Sequence, residues 1–109
     1  MDTTTLNRFT ARAGVLKALA HPARLYMVDE LSRGERCVRD LEALVGSDIS
    51  TVSKHLSVLR SAGIVGSEKR GAQVFYHLTM TCVTGFFGCV EEVLAGRRDD
   101  LVQLTETER

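Results

Sequence analysis

The sequence has little of several things, and each scarcity narrows the field. It contains one proline, Pro22, and no apolar run approaching the ~20 residues of a membrane-spanning helix. Met1 to Arg12 lacks the apolar segment of a secretion signal, so the expectation is a soluble, cytoplasmic protein with no membrane partner. Neither charge sign is in excess: 14 Lys and Arg balance 14 Asp and Glu, which excludes a nonspecific polycation. Cysteine is scarce and odd in number. Cys37, Cys82 and Cys89 do not suit a disulfide framework and leave free thiols, metal ligands or redox sensing. The three histidines, His21, His55 and His77, are scattered, and no phosphate loop or nucleophile elbow accompanies them. An enzyme is not expected.

What is present is enough for one domain over residues 1–109, with 44% hydrophobic content to bury a core. The chain is organised around Ser47 to Gly63. Ile49, Val52, Leu56 and Leu59 recur at helical spacing, Asp48 or Ser47 can cap the start, and Gly63 suits the left-handed residue past the end. The opposite face carries Ser50, Thr51, Ser53, Lys54, His55, Ser57 and Arg60, rich in donors and free of acids. Such a face fits the acceptor-rich floor of a duplex groove; the alternative is a serine-rich wet surface. Upstream, Val38 to Val45 reads as a short helix, and Gly46 opens a tight turn before the donor-rich helix. Residues 38–62 therefore form a helix-turn-helix, with the second helix as the reader. Downstream, 64–70 and 73–78 read as two strands about Gly71-Ala72, a wing with Lys69, Arg70 and Gln73 at its tip. The predicted fold is mainly α with a small β-hairpin: a winged helix-turn-helix of about five helices and a two-stranded wing.

The flanks suggest a second copy. In residues 6–20, Leu6, Phe9, Ala13, Leu16 and Ala20 follow the spacing of a coiled-coil seam, and Val15 and Leu19 widen the apolar surface beyond what one small domain needs. Pro22 opens a second helix, expected to bury Leu25, Val28 and Leu31, with His21 at its end rather than acting as a ligand. The charge is segregated. Residues 50–77 carry Lys54, Arg60, Lys69 and Arg70 against Glu68, whereas residues 91–109 hold six acids against Arg97, Arg98 and Arg109. A basic reading edge and an acidic far end would orient the molecule on a polyanion.

Three segments together, Leu19-Ala20-His21-Pro22-Ala23-Arg24-Leu25, Glu35 to Leu41, and Ser50 to Leu56 with Leu59-Arg60 and Ala62 to Val65, resemble the ArsR/SmtB family of bacterial metal- and metalloid-sensing repressors, in particular its arsenic-responsive branch. The resemblance spans roughly residues 6–95. It implies a homodimer joined through the first and last helices (6–20 and 80–95), bound to an inverted-repeat operator in double-stranded DNA and released by an inducer. Arsenic-responsive members carry a Cys-Val-Cys-Asp-Leu box; here it reads Cys37-Val38-Arg39-Asp40-Leu41, with one thiol only. The histidine-containing site that other members place on the last helix is absent, since residues 80–95 hold no histidine.

The remaining thiols belong to the last helix. Cys82, Phe86, Cys89 and Val93 share a face there, and Gly85 and Gly88 would permit close approach of a second helix. Seven residues of helix rise about 10 Å, so Cys82 and Cys89 of one chain cannot share an ion. Across an antiparallel two-fold pairing, Cys82 approaches the partner's Cys89, and Cys37 could complete the set. Soft thiolates select arsenic(III) or antimony(III), alternatively cadmium or another thiophilic ion. A redox or persulfide sensor of the same fold, using a cysteine pair and no metal, is the other reading.

Overall fold

The computed structural model describes residues 1–107, with side chains through Gln103. Glu108 and Arg109, counted above in the acidic end, lie outside the described residues, as does the side chain of Glu106. The elements are α1 (Thr3–Leu19), α2 (Pro22–Leu31), β1 (Arg36–Cys37), α3 (Val38–Val45), α4 (Ile49–Ser61), β2 (Val65–Arg70), β3 (Gln73–Leu78) and α5 (Val83–Thr107).

Local chemistry sets most of these boundaries. Asp2 caps α1, its Oδ1 accepting the Thr5 N–H at 2.7 Å, and Asp48 caps α4 through the Thr51 N–H at the same distance. Pro22 occupies the first turn of α2, where its missing N–H leaves no partner unmade. His21 caps that helix, its Nδ1 accepting the Ala23 N–H at 3.1 Å. Gly46 turns the chain between α3 and α4 at φ 76°, a left-handed conformation that a Cβ would penalise. Gly71, at φ 63°, turns the wing in the same way.

The wing is one strand richer than the hairpin read from the sequence. β2 and β3 pair antiparallel from Val65↔Leu78 to Arg70↔Gln73, and β1 adds to the free edge of β3 through Arg36↔Tyr76 and Cys37↔Phe75. The sheet order is β1-β3-β2. Two residues give no periodicity from which a strand can be read; only the neighbouring edge makes β1 a strand.

The core gathers Leu19, Met27, Val28, Leu31, Leu41, Val52, Leu56, Leu59, Ile64, Val65 and Val83. In α2 the expected burial of Leu25 is corrected: Met27 takes the inward place and Leu25 is 38% exposed. Ile49, the first member of the α4 stripe, is 52% exposed because it sits at the helix start beyond the edge of the core. On α1 the two apolar sides are divided. Val15, Ala18 and Leu19 pack on their own domain, while Leu6, Phe9 and Leu16 on the opposite side are each about half exposed.

The last helix departs furthest from expectation. It begins at Val83, so Cys82 stands in the turn before it, its carbonyl accepting from the Gly85 and Phe86 N–H groups. It runs to Thr107 rather than ending near residue 95, about 37 Å at 1.5 Å per residue. Val83 is buried and Phe87 packs on the core, but Phe86, Val90, Val93 and Leu94 are exposed. No helix among the described residues is long and apolar enough to cross a membrane. The radius of gyration, 17.7 Å, exceeds the ~13 Å of a compact chain of this length because these two flanking helices reach beyond the core.

Candidate nucleic-acid interface

α4 presents two chemically opposite sides. Val52, Leu56 and Leu59 are fully buried, which fixes the rotation of the helix about its own axis. Ser50, Ser53, Lys54, Ser57 and Arg60 are then left exposed, and Thr51 is half-buried beside them. Asp48, at the helix start, is committed to the cap; the backbone N–H of Thr51, then its hydroxyl, hold it below the usual carboxylate range. The outward ridge is therefore made of hydroxyls and cations without a facing acid.

His55 is placed differently from the other reader residues. It is half-buried, with its ring 4.4 Å from the His21 ring, and so lies on the flank of α4 that meets the start of α2. Burial, then the nearby charges of His21 and Arg24, push its pKa below the ordinary histidine value. The imidazole packs against the His21 ring, whose Nδ1 accepts the hydrogen bond that caps α2. The structure thus gives His55 a joint between α2 and α4, whereas Ser50, Thr51, Ser53, Lys54 and Ser57 face outward.

At the wing, Lys69 and Gln73 are exposed beside the turn. Arg70 is engaged elsewhere: its two Nη groups donate to Glu35 at 3.0 and 2.9 Å and to Glu68 at 2.9 Å. These bonds raise its pKa further, and the guanidinium also lies 4.9 Å from the centre of the Phe75 ring. Glu35 precedes β1, so the fork ties the wing tip to the loop after α2. Lys69 is the wing-tip cation without an ion pair among the described residues.

The thiols do not converge within one chain. Cys37 lies in β1 at the start of α3, its N–H donating to Asp40 at 3.4 Å, and its side chain is enclosed, the residue only 7% exposed. Cys82 and Cys89 are exposed. Among the described residues no cluster of three His, Cys, Asp or Glu side chains could hold a metal ion.

Two cations went unassigned in the sequence. Lys17, in the last turn of α1, and Arg24, in the first turns of α2, line a cleft against the outer side of α4 at Ser57 and Ser61. Neither has an ion pair among the described residues. Their separation from α4 in sequence hides the grouping; the absence of a neighbouring acid at helical spacing was the one available signal.

Residues 21–67, from the α2 cap to the middle of β2, match the arsR family of bacterial regulatory proteins. A biofilm growth-associated repressor from Agrobacterium fabrum is 46% identical over 71 residues, 65% of this chain. The matched segment spans 61% of that relative's length. The HTH-type transcriptional regulator Rv0081 of Mycobacterium tuberculosis is 31% identical over 99 residues, 90% of this chain and 87% of the relative. Its crystal structure superposes with a TM-score of 0.76 at 32% identity, covering 86% of this chain and 95% of that one. A homodimeric winged helix-turn-helix DNA-binding domain from Mycobacterium bovis, solved by NMR in solution, gives a TM-score of 0.77 at 28% identity over 92% of this chain and 93% of that one.

Proposed function

Because this chain belongs to the arsR family of bacterial regulatory proteins, we propose that it is a transcriptional repressor acting as a homodimer, with the two α4 helices in successive major grooves of an inverted-repeat operator. The observation that carries this reading is the acid-free exposed ridge of α4 over a fully buried back. Its first turns, Ser50, Thr51, Ser53 and Lys54, meet base edges and phosphates, with Ser57 and Arg60 towards the backbone and Lys69 and Gln73 on the wing. Arg70 supports this surface by holding the wing to Glu35 rather than by touching phosphate. Lys54→Ala is expected to weaken operator binding broadly and to reduce the slope of log K against log salt by about one. The check is a salt series of electrophoretic shifts with an inverted-repeat fragment; an unchanged slope removes Lys54 from phosphate contact.

The inducer reading places a trivalent metalloid, arsenite or antimonite, or otherwise cadmium or another thiophilic ion, on the thiols. A site confined to one chain does not fit, since Cys37 is enclosed and no three ligands gather among the described residues. A site shared by two chains fits better, pairing the exposed Cys82 of one protomer with the partner's Cys89. A second reading follows from the same count. Two accessible thiols per chain suffice for a disulfide or persulfide switch, in which a polysulfide or peroxide accepts the two electrons. Arsenite, cadmium and polysulfide titrated into the reduced operator complex separate them, with Cys37→Ser, Cys82→Ser and Cys89→Ser as variants. Release by arsenite that is lost in both α5-end variants supports the metalloid; release by polysulfide alone supports the redox switch. No release by any of the three sinks thiol sensing.

A further inference from the structure

The cleft between α1 and the outer side of α4 has an apolar half and a cationic half. On the α1 side, Ala11, Gly14 and Ala18 keep the wall low, and a Cβ on Gly14 would meet nothing within 4 Å. Val58 faces this wall from α4, giving an apolar half. Lys17, Arg24, Ser57 and Ser61 make the other half. The Arg24 Nε is shut off from solvent and has no hydrogen-bond partner among the described residues. Among the described residues no acid lines the cleft, so two cations and two hydroxyls share it without a counter-charge. The Nε–H lies beneath the cleft surface, so it is the rest of the guanidinium of Arg24, a lining residue with no acid beside it, that suits an oxyanion. The volume, about 750 Å³, lies within the range of small-molecule sites.

We propose that the α1–α4 cleft binds a small amphiphilic carboxylate, with the carboxylate on Arg24 and Lys17 and the apolar body between Gly14 and Val58. A chain phosphodiester would satisfy the cations but leave the apolar half unused, which favours the small molecule. The consequence for regulation rests on the repressor reading above. α1 carries the exposed seam of Leu6, Phe9 and Leu16 on its other side, so an occupant wedged between α1 and α4 bears on both the seam and the reading helix. A carboxylate that binds the two arrangements unequally shifts operator affinity by that inequality.

The binding half is tested without DNA. Octanoate and phenylacetate are titrated into the full ¹⁵N-labelled chain, with octylamine and inorganic phosphate as controls. Both carboxylates are expected to shift the Gly14, Ser57 and Ser61 amides saturably, with a dissociation constant below about 1 mM, ordinary for about ten heavy atoms. Arg24→Gln should weaken them at least about tenfold. Gly14→Leu, whose side chain enters open space on a helix that tolerates leucine, should abolish binding while helix content and operator binding persist. No saturable shift, equal binding of octylamine or phosphate, or indifference to both variants overturns the proposal. Operator shifts run in parallel keep the outcomes apart: an operator-binding chain that ignores the carboxylates sinks this site alone. A chain that binds carboxylates but no operator sinks the repressor reading alone.

Discussion

Phe9→Glu combined with Val93→Glu is expected to convert the protein to a monomer and to lower operator affinity by about a thousandfold. Phe9 is 49% exposed and Val93 62% exposed in the single chain, so neither substitution removes anything from the core. The charges instead fall on the two apolar rows, Leu6-Phe9-Leu16 on α1 and Phe86-Val90-Val93-Leu94 on α5, that face away from it. Rows of this extent are uncommon on a monomer's surface, and a carboxylate buried in a helix seam must lose its hydration without a partner. Once the copies separate, each reading helix binds its half-site alone and the advantage of a tethered second contact disappears. Sedimentation and circular dichroism should report a monomer with unchanged helix content. A variant that stays dimeric with full operator affinity would locate the seam elsewhere.

Leu56→Ala is expected to cost about 3 kcal/mol of stability, within the usual range for a buried leucine truncated in a packed core. Leu56 has no exposure and sits midway along α4, between Val52 and Leu59, which are equally enclosed. Its loss leaves a void directly behind the reading face, so operator affinity should fall as the rotation of α4 loosens. Ile49→Ala on the same helix should cost under about 0.5 kcal/mol, since Ile49 is already largely in water. Urea denaturation of both variants at one chain concentration makes the comparison, because dimer stability depends on concentration. Equal costs at the two positions would mean that Leu56 is no more enclosed than Ile49.

Much of this architecture is local and was readable on that account. The apolar stripe of α4, the Asp48 cap, the glycine turn at Gly46 and the alternation of β3 each arise within a few residues of sequence. They determined the helix-turn-helix, its wing and its donor-rich ridge. The length of α5 escaped because its second half carries Arg97, Arg98, Asp99 and Asp100 and, among the described residues, no core-facing stripe, leaving helix propensity without periodicity.

By itself, then, the order of residues determined which elements form and which side of the reading helix is wet. Only the tertiary structure decided what those elements meet. Arg70 and Glu35 are 35 residues apart, and their pairing braces the wing tip against the loop after α2. His55 became a joint because His21 stands opposite, and Cys37 was enclosed because β1 joined a sheet edge. Arg24 and Lys17 shared a cleft with α4 only once α1 folded across it. Periodicity and propensity act over a turn or two of chain, whereas burial and charge pairing depend on which distant surfaces are brought into contact, and that is a property of the packed molecule.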